Sequence, residues 1–370
     1  MFDAVAFTQQ LVAIPSCDPP GGELLVAQAV QTQLQALDIP CELDEFLPGR
    51  ANVVGRVPGR GSKPPLVLSA HLDTVPVGSQ AWSFPPFAGD LVDGRVRGRG
   101  ASDMKSAVAA FIATADRINR LPEQLAGDVI LAFTAGESAN CLGARRLVAQ
   151  GFQQEIGAFL CGEPSSLDII VAEKAILWLE VRAAGQLGHV SGSGGVNAID
   201  IMASFLSRLS GLQLDLPGHP LLSAPTINVG RISGGSAVNV TPDLCTAELD
   251  IRFAPGIAVD TVLDQLRGIV PDRITLQVTD FKPAVEASPD SPFVQLCSQA
   301  VETKMQRRPA IKGVSYYSDA AILLDGIQVP FAILGPGDLG MSGQTNETAS
   351  AQAIADVVDI YTRIAQTWLS

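Results

Sequence analysis

Three short apolar runs in the first half of the chain each lead into a side chain that can ionise. Val67–Leu68 leads to His71 and Asp73, Val129–Phe133 to Glu137, and Phe159–Leu160 to Glu163. Runs of this length read as buried strands, and the stretches between them, such as "DMKSAVAAFIATADRINRL" and "LGARRLVAQGF", carry helical spacing. A strand–helix alternation of this kind folds as a mostly parallel sheet covered on both faces. Ligands of such sheets bind outside the carboxyl ends of the strands, so polar side chains collected there can face one crevice. A fourth acid, Asp103, follows the glycine-rich "GRGAS" and opens a helix. Taken alone it reads equally well as a helix N-cap.

From about Ala175 the rhythm changes. Half-exposed strands ("ILWLEVRAAG", "TINVGRISGG", "CTAELDIRFAPG", "RITLQVTDF") alternate with helices near "NAIDIMASFLSRL" and "VDTVLDQLRGIV". The order strand–helix–strand–strand–helix–strand predicts a small α+β domain of the split βαβ, ferredoxin-like type. After about Ala287 the first rhythm resumes and ends in a long helix. The expected fold class is therefore α/β, with residues 1–174 and 287–370 forming one domain interrupted by an inserted domain at 175–286.

The 370 residues carry a net charge of −13, which argues against a nucleic-acid or anionic-membrane partner. A hydrophobic content of 47% with 17% charged residues describes a well-cored chain. Six scattered cysteines without a CxxC pair disfavour a zinc ribbon or a disulfide framework. The start "MFDAVAFTQQ" lacks the basic region of a signal peptide, and no apolar run approaches the ~18 residues of a membrane span. The expected location is the cytoplasm.

An imidazole at 71 with carboxylates at 103 and 163 forms an N/O donor set suited to zinc, and less specifically to cobalt or manganese. Asp73, two residues from His71, shares its face if the strand continues. It is then placed to accept the other imidazole N–H and fix the tautomer.

The segments "SAHLDTVPVG", "GRGASDMKSAVAA", "CGEPSS", "GQLGHVSGSGGVNAI", "GGSAVNVTPD", "LDIR" and "GPGD" occur in this order. Together they resemble the M20 family of metal-dependent peptidases and amidohydrolases, which includes acetylornithine deacetylases, succinyl-diaminopimelate desuccinylases and carboxypeptidases. The resemblance spans nearly the whole chain. It implies a zinc-peptidase-like catalytic domain with an inserted dimerisation domain, and hence a homodimer. His71 and Glu163 would hold one metal, and Asp103 would bridge to a second. Glu137 falls on the general base and Asp73 on the catalytic aspartate beside the ligands. His189 falls on a histidine that reaches the partner subunit's active site to stabilise an oxyanion. Asn239 and Arg252 match positions that bind a substrate carboxylate.

Two departures bear on the second metal. Where the family places a glutamate after the base, this chain has Ser138, and where it places a C-terminal histidine, this chain has Gly343. Histidines occur only at 71, 189 and 219, so none near the C-terminus can substitute. Gly136 also stands where an aspartate is common. Glu347, Gln344 and Cys141 are the candidate replacement ligands, and Asp319 in "SYYSDAA" is a candidate orienting group. The expectation is a hydrolase of N-acyl amino acids or small peptide-like substrates running on one ion per subunit. A non-hydrolytic binding or scaffold protein is the alternative, and altered amide chemistry a third reading.

Overall fold

The computed structural model describes residues 2–121, 123–192 and 194–370. The chain divides into two compact units. One comprises the chain up to Val171 with Glu286–Gly313 and Ser318–Ser370; the other comprises Ala172–Val285 with Val314–Tyr317.

The first unit is built on a mixed sheet that is parallel at its centre. Strands Val129–Thr134, Leu66–His71, Ala158–Cys161 and Phe331–Ile333 lie side by side in that order and run parallel. Antiparallel strands flank them: Arg50–Val57 and then Cys41–Leu47 on one side, Ile169–Glu173 on the other. Every residue of Leu66–His71, Val129–Thr134 and Ala158–Cys161 is buried. This is why they read as continuous apolar runs with no alternation.

Helix Ala351–Trp368 packs on Ser106–Asn119 and on Pro292–Met305. Ser106–Asn119 is buried at nearly every position, so its sequence is dominated by alanine, valine and isoleucine. The Phe111 and Tyr361 rings meet at 4.6 Å between centroids, and the Tyr361 hydroxyl donates to the Leu334 carbonyl just beyond a central strand. The long helix starts cleanly because the Ser350 hydroxyl accepts the Ala353 N–H.

The second unit is a four-stranded antiparallel sheet in the order Thr226–Gly234, Leu244–Phe253, Ala175–Ala184, Ile274–Lys282. With helices Ala198–Ser210 and Val259–Arg267 this is the split βαβ arrangement. Alternate residues Leu177, Leu179, Val181 and Ala183 join Leu249, Ile251 and Phe253 beneath Met202, Phe205, Val262 and Leu266. Edge strand Thr226–Gly234 is exposed along almost its whole length. Among the described residues no helix is long and apolar enough to cross a membrane, and the six cysteines form no disulfide.

Phe111 sits at the helix–helix contact of the first unit and is fully buried. Phe111→Ala is expected to destabilise that unit by about 3–5 kcal/mol, read from its transition in urea denaturation.

Candidate active site

Parallel register brings the carboxyl ends of three strands level: His71 lies opposite Thr134, and Ser69 opposite Cys161. The chain then delivers Glu137 three residues past one strand end and Glu163 two residues past another. Asp103 arrives from a π-helical turn, Ala101–Lys105, that precedes helix Ser106–Asn119. Its backbone is not helical and its side chain caps nothing. It points to the imidazole instead, with Oδ1 3.0 Å from Nε2 of His71. Glu163 Oε1 lies 3.6 Å from the same nitrogen, and Glu137 Oε2 lies 4.0 Å from it.

Asp73 acts differently from the sequence expectation. The strand ends at His71, so alternation along a strand no longer sets where Asp73 points. The Asp73 carbonyl, not its carboxylate, sits 2.9 Å from Nδ1, while the carboxylate is 3.7 Å away. That carboxylate accepts the backbone N–H groups of Glu137 at 3.0 Å and Ser138 at 2.8 Å. A carbonyl can only accept, so Nδ1 carries a proton and Nε2 is turned toward Asp103 and Glu163, where it donates to Asp103 when protonated and offers its lone pair when a cation takes that proton's place. The tautomer is fixed, but by main chain.

Ligand atoms of His71, Asp103 and Glu163 lie within 4.8 Å of one another, a spacing and chemistry that fit a divalent ion. Without such an ion the charges are crowded. Burial alone would disfavour the imidazolium, yet Asp73, Glu163 and Asp103 hold the proton affinity of His71 well above an ordinary histidine's. Burial pushes the carboxyl of Glu137 well up; His71 opposes this, while Asp319, Asp73 and Asp103 add to it. Asp319, buried and accepting from the Thr134 hydroxyl, is pushed up to about 6, mainly by burial.

The candidate replacement ligands for a second metal are placed elsewhere or already engaged. Glu347 is buried and accepts the N–H groups of Gly100, Ser102 and Asp103 at 2.9–3.1 Å. It also takes the Arg99 guanidinium at 2.5 Å. Arg99 in turn donates to the carbonyls of Gly343 and Gln344, both at 3.1 Å. The pair therefore ties the Asp103 loop to the C-terminal loop, a role with no motif signal of its own. Cys141 lies under the Glu137 carbonyl, and the Gln344 side chain is exposed. Among the described residues, neither cluster of His, Cys, Asp and Glu able to hold a metal contains Glu347 or Cys141. The outer oxygen of Asp103 accepts the Ser342 hydroxyl.

His189, Asn239 and Arg252 lie in the second unit. The Ser191 N–H donates to Nδ1 of His189, and the Asn239 amide nitrogen, itself a donor, lies 3.4 Å from Nε2. Arg252 forks onto Asp250 at 2.9 and 3.0 Å and donates to the Ser315 carbonyl. Part of its guanidinium is thus already engaged.

Residues 67–367 match the model of peptidase family M20/M25/M40. The chain belongs to this family. Its relatives include an acetylornithine deacetylase of Vibrio campbellii, 31% identical over 95% of this chain and 94% of that protein. A protein of Staphylococcus epidermidis named "probable succinyl-diaminopimelate desuccinylase" is 25% identical over 94% and 93%. Among solved structures, the M20 family metallo-carboxypeptidase Sso-CP2 of Sulfolobus solfataricus superposes with a TM-score of 0.79 at 16% identity, covering 99% of both chains. A dinuclear metal binding M20 peptidase of Bacillus subtilis superposes at 0.75 and 18%, covering 99% and 97%. The fold is that of the family, and the chain is a metal-dependent hydrolase of the peptidase and deacylase kind.

Beneath the Asp103 turn, the buried ammonium of Lys105 donates to the carbonyls of Leu11 at 3.0 Å and Ile14 at 2.6 Å. Burial lowers its pKa from 10.5 to about 7 against the opposing charges of Cys17, Glu347 and Asp73. The folded value lies below the unfolded one, so this contribution is fully present above pH 10.5 and is lost as pH falls toward 7. The stability difference between wild type and Lys105→Met should therefore shift in favour of wild type between pH 7 and 10. Urea denaturation at several pH values checks it.

Proposed function

We propose that the chain hydrolyses the amide bond of an N-acyl amino acid or small peptide-like substrate with one divalent ion, zinc first and cobalt or manganese as substitutes. The convergence of His71, Asp103 and Glu163 on one fixed imidazole lone pair, with Glu137 at its edge, carries this reading. An ion held there would acidify water and polarise a carbonyl. Glu137, 4.0 Å from Nε2 of His71, takes a proton from the attacking water and returns it to the leaving amine. Asp73 holds the main chain of Glu137 and, through its carbonyl, the His71 ring.

The single-ion reading is supported by Ser138 and Gly343 at the vacated ligand positions. The engagement of Glu347 by Arg99 adds to it, as does the Ser342 hydroxyl on the oxygen of Asp103 that would face a second ion.

In the second unit, His189 is the donor to a developing oxyanion when it carries a proton on Nε2. Asn239 and Arg252 are the groups for a substrate carboxylate, Arg252 through the N–H groups that Asp250 and Ser315 leave over. The exposed edge strand Thr226–Gly234, with Val229 and Ile232 outward, supports pairing with a second copy. A cytoplasmic setting suits six cysteines without a disulfide.

Glu137→Gln should lower kcat by roughly 10²–10⁴-fold while leaving bound metal unchanged, measured on N-acetyl, N-succinyl and N-carbamoyl amino acids and dipeptides. Wild-type turnover no higher than this variant's would select a binding protein over a hydrolase.

Elemental analysis should find one tightly held ion per chain, rising toward two in Ser138→Glu with Gly343→His. A Cβ at Gly343 meets only Val75 Cγ2 at 3.6 Å, so space is available. The φ of +70° there adds strain of about 1–2 kcal/mol. Two ions in the wild type would overturn the one-ion reading.

A further inference from the structure

Behind the turn that carries Glu137 lies a buried ionic cluster that the proposed chemistry leaves unused. Asp18, Glu23 and Asp73 are all buried and place carboxylate oxygens within 4.8 Å of one another. Arg50, at the start of strand Arg50–Val57, meets them. Its Nε and Nη2 donate to the two oxygens of Glu23 at 2.7 and 2.9 Å, and Nη2 also donates to Asp18 at 2.9 Å.

The guanidinium occupies a socket that two glycines keep open. A Cβ at Gly21 (φ +93°) would lie 2.5 Å from Cδ and Nε of Arg50, and one at Gly136 (φ +74°) would lie 2.4 Å from Nη2. Gly136 immediately precedes Glu137. The next two amides, of Glu137 and Ser138, are those the Asp73 carboxylate accepts. The Asp18 loop is stitched to the same place: Asp18 N–H donates to the Thr74 carbonyl at 2.8 Å, and Thr74 N–H to that of Ser16 at 2.9 Å.

We infer that Arg50 is a positioning residue for Glu137: it packs against Gly136 from behind, and it keeps Asp18 and Glu23 from repelling the Asp73 carboxylate that grips the turn in front. The inference rests on Glu137 being the base. Three buried carboxylates with no cation among them repel strongly at low dielectric, and the one that can relieve this by moving is the one holding the turn. A buried ion pair that served stability alone would need neither glycine at 136 nor contact with the base-bearing turn.

The test uses three variants of the full chain. Arg50→Met with Glu23→Gln removes the cation and its main partner together, so the fold keeps its charge balance. Arg50→Lys keeps the charge and loses the fork. Gly136→Ala drives a methyl group into the guanidinium while removing no charge; because φ there is +74° it also adds backbone strain of about 1–2 kcal/mol, so its effect counts only alongside that of the first variant. Hydrogen exchange should accelerate about tenfold at the Glu137 and Ser138 amides in the first and third variants, with the amides of strand Val129–Thr134 unchanged. On any substrate the wild type turns over, kcat should fall roughly ten- to a hundredfold with KM little altered, and Arg50→Lys should recover part of the loss.

Unchanged exchange at the two amides, or acceleration spread evenly over the first unit, would overturn the inference. If the wild type hydrolyses nothing while exchange changes as expected, the hydrolase reading fails and the positioning role of Arg50 stands.

Discussion

Crowding of acids around one buried imidazole is the constraint to which the rest of this fold responds. Asp103, Glu163 and Glu137 approach Nε2 of His71 to within 3.0–4.0 Å, and Asp73 stands on the ring's other side. In a medium of low dielectric such an arrangement is costly unless a cation balances it. Each acid is accordingly held by something rigid. Register between parallel strands fixes His71 and the starting points for Glu137 and Glu163. Glu347, with three backbone N–H groups and Arg99, fixes the loop of Asp103. Asp73 fixes Glu137. The positions of the acids are over-determined, so the ion or proton among them is the variable.

What the sequence made legible follows the same division. His71, Glu137 and Glu163 could be found because a fully buried parallel strand writes itself as an uninterrupted apolar run, and the polar residue after it marks the carboxyl end. The inserted unit could be found because its strands are covered on one face only and alternate. The hairpin Cys41–Leu47 and Arg50–Val57 was not identified, since the first strand is acidic and exposed at intervals and reads as a loop.

The Asp73 side chain went astray for a reason of one residue. Period-two reasoning holds only while the strand lasts, and this strand stops at His71. Glu347 reads as a candidate metal ligand because the sequence shows a carboxylate near the vacated positions. It cannot show that Arg99, 248 residues away along the chain, arrives first. Arg50 carried no signal at all, since its meaning depends on what Gly21 and Gly136 omit.

Gly136 and Gly343 are thus glycines of different kinds. Gly343 leaves open space where a side chain is missing, whereas the absent Cβ of Gly136 leaves room that Arg50 fills. Around the turn and the imidazole the space is taken up: Arg50 packs against the turn that carries Glu137, the Ser342 hydroxyl meets the outer oxygen of Asp103, and Glu347 is satisfied by four donors. Each of these contacts satisfies a buried carboxylate or fills the space beside one, and a buried carboxylate left without donors would destabilise the loops that carry His71, Asp103, Glu137 and Glu163.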